Sequence, residues 1–160
     1  MKSTLSRDTG LCTEDRRYIP RGIRNNNPLN IRKGEHWRGL REFSTDKEFC
    51  EFVSMAYGFR AAFRTLITYY TKHKCKTLKE IITRWAPPSE NETWAYIERV
   101  RKDADIEDID SELPDPLEKR NWYVWKKIIL AMAAVENGAS MKTISNYNKT
   151  VLIGMNMVFG

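Results

Sequence analysis

The chain contains no run approaching the roughly 18 consecutive apolar residues that a membrane span needs, which excludes a transmembrane helix from the reading. Its first residues, MKSTLSRDTGLCTEDRR, have none of the apolar core of a secretion signal. The protein is therefore expected to be made in the cytoplasm without a signal peptide, and to leave it only with a helper or on lysis. Cysteine is scarce. Cys12, Cys50 and Cys75 are an odd number without paired short spacing, which argues against a disulfide framework or a zinc knuckle and for reduced thiols. His36 and His73 are too few and too scattered for a metal site, and no ligand spacing of the zinc or calcium kind accompanies them. A glycine-rich phosphate loop is missing, as is any serine or cysteine motif placed for nucleophilic attack. No cofactor and no metal are implied. Internal repeats, low-complexity tracts and a helix-turn-helix signal are missing as well.

What is present reads as globular. A chain of 160 residues fits one domain, and 41% hydrophobic residues, with five Trp, seven Tyr and six Phe, supply enough apolar mass to fold unaided. The net charge of +6 points to an anionic partner, either nucleic acid or an anionic cell-wall polymer. Charge is unevenly spread: Arg16, Arg17, Arg21, Arg24, Arg32, Lys33, Arg38 and Arg41 make the first quarter basic, whereas Asp103 to Asp115 is an acidic stretch.

Residues 1–18 are polar, show little periodicity and read as a flexible N-terminal arm ahead of a domain over 19–160. RGIRNNNPLNIR, residues 21–32, is dense in Asn, Gly and Pro and reads as an ordered loop rather than a helix. Residues 37–53 alternate aromatic and polar positions and predict a small β-hairpin. The remainder is helical. MAYGFRAAFRTLITYYTKH puts Phe59, Phe63, Leu66, Ile67 and Tyr70 on one face. Thr77 followed by Glu80 is a capping-box pattern opening a second helix, which Ala86-Pro87-Pro88 stops. Ser89 or Asn91 is read as the cap of a third, ETWAYIERVRK. Asp115-Pro116 signals the start of the longest and most apolar helix, which Gly138 ends. A last helix is expected from about Lys142 to Val158. The fold class is mainly α.

Four motifs in order, RGIRNNNPLNIR, Trp37-Arg38-Gly39, TDKEFCEFVSMAYGFRAAF and RWAPPSENETWAYIERV, resemble a family of short phage and conjugative-element proteins often labelled virion structural or lysozyme-like. The resemblance covers roughly residues 20–140. More distantly, the same motifs are similar to the segment that follows the catalytic glutamate in bacterial N-acetylglucosaminidases, which cleave peptidoglycan glycan strands. The resemblance implies a lysozyme-like helical domain that binds peptidoglycan, acting at the cell wall or in a virion or transfer apparatus. In the glucosaminidases, the general acid ends an apolar helix directly before the Asn-rich loop. Here the residues before that loop are TEDRRYIPRGIR, and an apolar helix ending in a glutamate, KKIILAMAAVENG, comes after the other motifs instead. The order implies a circularly permuted site with Glu136 as the acid.

A glycosidase acid must hold its proton near neutral pH. An apolar setting and the negative end of a helix both favour this, and Glu136 has Ala133, Ala134 and Val135 beside it at a helix C-terminus. The bland alternative is an exposed glutamate in a frayed last turn. Glycoside hydrolysis usually uses a second carboxylate. Glu48 is the first candidate by its position in TDKEF, with Glu90 and Glu51 as alternatives, and a solvated surface role for Glu48 stands beside that reading. Amides donate to and accept from sugar hydroxyls, so Asn26, Asn27, Asn30 and Asn91 are substrate-binding candidates together with Glu90, although Asn25, Asn26 and Asn27 equally serve to brace their loop. Trp37 and Trp85 could stack on sugar faces or pack in the core. Tyr96 is placed at the substrate by its resemblance to the helix flooring the glycan groove.

Three functions remain open at this point: a peptidoglycan glycan-strand hydrolase or lytic transglycosylase, a non-catalytic peptidoglycan-binding virion or conjugation-apparatus protein, and, on charge alone, a DNA-binding protein.

Overall fold

The computed structural model describes residues 19–89 and 92–160. Within them α1 is a single turn, Arg21–Arg24, followed by α2 (Met55–Thr71), α3 (Leu78–Trp85), α4 (Thr93–Asp103), α5 (Trp122–Glu136), α6 (Met141–Ile144) and α7 (Asn148–Met157). The described residues are mainly helical, as the periodicity predicts. The proposed N-terminal arm, Cys12, Glu90 and Asn91 lie outside the described residues.

Helix α5 is the centre of the packing because it can be buried nearly all round: Trp125, Ile128, Ile129 and the run Leu130 to Ala134 are all in the core. A helix with so little polar surface must be surrounded. It is flanked by α4, by α2 and by α7, while α2 packs along α7 and α3 along α4. The predicted face of α2 is the one observed, with Phe59, Phe63, Leu66 and Tyr70 buried and Ile67 packed at its margin. Among the described residues no helix is long and apolar enough to cross a membrane. Cys50 and Cys75 are free thiols, the former buried.

The capping box opening α3 is complete: the Thr77 hydroxyl accepts from the Glu80 N–H and the Glu80 carboxylate accepts from the Thr77 N–H. Gly138 follows α5 with φ of +59°, the left-handed conformation in which a glycine ends a helix without a Cβ penalty.

Other expectations need correction. Asp115-Pro116 does not begin α5. The Asp115 carboxylate accepts from Leu117 N at 2.9 Å and so caps only a turn, and a short 3₁₀ segment, Lys119–Asn121, precedes the α-helix at Trp122. The indole N–H groups of Trp122 and Trp125 take the carbonyls of Pro116 and Pro114, and the former is a group that a helix starting at Pro116 would have used. Helix α4 has Glu92 as its N-cap with no side-chain cap bond. The last helix is divided into α6 and α7 by a 3₁₀ turn at Ser145–Tyr147. The Asn-rich segment is entered through α1, so its first residues are helical rather than loop.

The hairpin is reduced to isolated antiparallel bridges, Arg32 to Phe49 and Leu40 to Phe52. Side chains have taken the backbone groups that a ladder would pair. Glu51 accepts from the N–H groups of Thr45 and Asp46, Asp46 accepts from those of Glu48 and Phe49, and the Asn27 amide donates to the Cys50 carbonyl. Short polar side chains compete with strand pairing in this way.

Candidate active-site cleft

The Asn-rich loop and the end of α5 are fastened together by buried amides. Asn137, the residue that caps α5, is 7% exposed; its Nδ2 donates to the carbonyls of Pro28 and Ala133, and its Oδ1 accepts from Ile23 N. Asn27 is fully buried, donating to the Ile31 and Cys50 carbonyls and accepting from Ile31 N. The close approach needs glycine. A Cβ on Gly22 would lie 2.5 Å from Asn137 Oδ1, and one on Gly58 would lie 2.0 Å from the Asn26 carbonyl oxygen.

This fastening sets the position of Glu136, one residue before Asn137. Its half-buried side chain has Oε1 accepting from Asn30 Nδ2 at 3.3 Å, and Oε2 accepting from Trp85 Nε1 at 3.0 Å and from the Tyr96 hydroxyl at 2.9 Å. Asn30 Nδ2 also reaches the Glu136 carbonyl. Three elements distant in sequence thus converge on one carboxyl group. A carboxylate has about four lone-pair sites, so one remains for a proton or a ligand. Burial, and then the negative charge of Glu136, push the Tyr96 phenol well above its ordinary value, so it stays a donor.

Glu136 opens into a cleft of about 600 Å³ whose walls include Asn30, Arg32, Glu35, Trp37, Phe49, Tyr69, Arg84 and Trp85. Two aromatic rings carry cations: the Arg32 guanidinium lies 5.0 Å from the Phe49 ring centre and that of Arg84 lies 5.3 Å from that of Tyr69. Trp37 Nε1 and Asn30 Oδ1 are buried polar atoms without a hydrogen-bond partner among the described residues. Among the described residues there is no group of three or more His, Cys, Asp and Glu placed to hold a metal ion.

Of the residues singled out from sequence, Glu136, Asn30, Trp37 and Trp85 meet in this cleft. Tyr96 is beneath it, 8% exposed, where it holds Glu136 rather than lining the space. Asn26 and Asn27 are not among the lining residues. Asn26, at φ of +54°, donates to the Phe52 carbonyl, and Asn25 donates to Asp46, so all three consecutive asparagines brace the loop. Glu48 is elsewhere: it is exposed, pairs with Arg21 at 3.2 Å and borders a separate surface hollow with Arg24, Thr45 and Lys47. The acids near it in TDKEFCE are structural. Glu51 is 4% exposed. Burial alone would raise its carboxyl value, but the Asp46 N–H, Ser44, the Thr45 N–H and Arg41 together hold it down at about 2. Asp46 is held below the ordinary range by Arg21, against burial, with help from the Phe49 N–H, Asn25 and the Glu48 N–H. The carboxylate that joins Glu136 in the cleft lining is Glu35, which sequence reasoning passed over, as it did Arg32, Tyr69 and Arg84. Arg32 ends the Asn-rich motif and Arg84 opens RWAPPSENETWAYIERV, whereas Glu35 and Tyr69 lie in no motif; the fold brings all four together at the cleft.

No protein-family model matches the chain. Among known proteins, 133 residues align at 37% identity with Protein P5 of Pseudoalteromonas phage PM2, an alignment taking in 81% of this chain and 78% of that protein. Similarity over so much of both chains reflects common descent rather than shared composition, and this chain belongs to the phage-associated family of Protein P5 of Pseudoalteromonas phage PM2.

Proposed function

We propose that the protein acts on the glycan strands of peptidoglycan, as a hydrolase or lytic transglycosylase that a phage brings to the cell wall, with Glu136 as general acid. The carrying observation is the convergence of Asn30, Trp85 and Tyr96 on Glu136 at the base of an open cleft. An apolar helix delivers the carboxyl, three donors fix its orientation, and aromatic walls offer surfaces for sugar rings. In the reaction Glu136 gives its proton to the glycosidic oxygen as the C–O bond breaks. The electron deficiency at C1 is then met by water in hydrolysis, or by the sugar's own C6 hydroxyl in transglycosylation, whose proton returns to the carboxylate. Glu48 takes no part in this scheme. Glu35 is the available second carboxylate for a water-activating role, and the intramolecular route needs none.

A second reading, a peptidoglycan-binding virion component without chemistry, is favoured by the same engagement of both Glu136 oxygens, since a carboxylate bonded by three protein donors also serves as a brace. Substitution of Glu136→Gln separates the two. Gln keeps the size, and the partnerless Asn30 Oδ1 gives its new amide an acceptor after an amide flip. Turnover of purified peptidoglycan should fall by about 10²–10⁴-fold with the melting temperature and wall binding retained. A residual rate within a few-fold of the unsubstituted protein excludes the acid assignment. Wall binding by unsubstituted protein that releases neither reducing ends nor anhydro-sugars between about pH 4 and 8 supports the second reading.

A further inference from the structure

We infer that Arg32 and Arg84 recognise carboxylates carried by the glycan, so that the cleft selects an anionic, muramyl-containing strand over a neutral one; this rests on the glycan-binding reading of the cleft. Arg21, Arg41, Arg99, Arg101 and Arg120 each pair with an acid. Arg24, Arg32, Arg38, Arg60, Arg64 and Arg84 have no acid partner among the described residues, and of these six Arg32 and Arg84 are the two at the cleft. Both line the cleft, both are exposed, and neither meets a carboxylate among the described residues. Each is instead positioned by a ring of the cleft wall, Phe49 and Tyr69 respectively.

A cation–π contact holds a guanidinium without consuming its N–H groups, which form a fork matched to a carboxylate. The placement is specific to the site. Arg32 is two residues from Asn30, and Arg84 is the neighbour of Trp85; Asn30 and Trp85 are two of the three groups that hold Glu136. A ligand touching Glu136 therefore shares the cleft with both cations. Bulk attraction is a poor account of the arrangement, because Glu35 lines the same cleft and offsets part of their charge. What the pair offers is directed recognition of carboxylates on the substrate. On a peptidoglycan strand such groups come from two sources, the lactyl group of an unsubstituted muramyl residue or the stem peptides.

The test is stopped-flow fluorescence anisotropy with the full chain, which reads binding before turnover. It uses three labelled strands of equal length: a neutral chitooligosaccharide, amidase-stripped glycan with free lactyl carboxylates, and peptide-bearing glycan. At low salt at least one anionic strand should bind about tenfold more tightly than the neutral one, as expected for charge-assisted hydrogen bonds. The arm that shows the gain identifies the carboxylate source. Arg32→Gln with Arg84→Gln should bring the ratio of anionic to neutral binding close to one with the melting temperature retained. Because each Arg is exposed, the single substitutions are expected to fold and each should remove part of the difference. Equal binding of all three strands, or a preference that survives the double substitution, overturns the arginine assignment and leaves the glycan reading standing. Binding to none of the strands overturns both.

Discussion

Replacing Glu51 with Gln tests whether the cleft wall is held by buried charge. The Glu51 carboxylate is nearly inaccessible and accepts from Arg41 Nη1 at 2.6 Å, Ser44 Oγ at 2.7 Å and the N–H groups of Thr45 and Asp46. Gln removes the charge and turns one acceptor into a donor facing donors. An ordinary carboxyl value of 4.5 against about 2 in the fold corresponds to about 3 kcal/mol of stability at neutral pH. Unsatisfied N–H groups at about 1–3 kcal/mol each make a loss of about 3–5 kcal/mol the expected cost of the substitution. The direction in pH follows from the sign of the shift. A depressed folded-state value stabilises fully above about pH 5 and loses that contribution as pH falls through 4.5 towards 2. Urea denaturation at half-unit pH steps should show the unsubstituted protein weakening across this window. The Glu51→Gln curve should start lower and fall less steeply, with Asp46, which is also held low, keeping some slope in both. Parallel curves for the two proteins, or a loss below about 1 kcal/mol at pH 7, would refute the reasoning.

Asn137→Ala removes two buried donor contacts and leaves the Ile23 N–H without its acceptor, so a loss of about 2–4 kcal/mol in chemical denaturation is expected. Because the same residue ties the loop to α5, hydrogen exchange at residues 22–30 should accelerate more than exchange within α2; uniform acceleration would deny the local tie. Thr77→Ala breaks one half of a complete capping box and should cost about 1 kcal/mol, with the thermal midpoint as readout and an unchanged midpoint as the contrary result.

Features encoded over a few residues were legible in the sequence. Thr77 and Glu80 are three residues apart, and their reciprocal bonds follow from that spacing alone. The end of α5 at Gly138 is likewise local, because a left-handed residue is required there. The pairing of Glu136 with the Asn-rich loop came from resemblance, and it joins residues 106 positions apart. Where outcomes depended on which backbone group a side chain reaches, pattern gave no guidance. Asp46, Glu48 and Glu51 are three acids in one short segment, yet two are sunk in donors and one is exposed. The hairpin failed for the same reason, since its alternation is real but its N–H groups are claimed by those acids. The early start expected for α5 ignored the Trp122 indole, which competes for the carbonyl of Pro116.

The buried polar groups around the cleft form two sets that do different work. On the loop side Asn27, Asn137 and the Ile23 N–H form a set in which each member is paired, so the loop has one seat on the end of α5 and Glu136 has one position. Beside that loop Glu51 and Asp46 fold residues 44–51 back on themselves, and the Arg32 guanidinium lies over Phe49. Satisfied networks in a low-dielectric interior specify geometry strongly, because any alternative packing strands a donor or a charge. Trp37 Nε1 and Asn30 Oδ1, which have no partner among the described residues, both belong to residues that line the cleft. Both atoms are buried, so each carries the cost of an unmade hydrogen bond, and the less completely satisfied packing of the described residues lies beside Glu136.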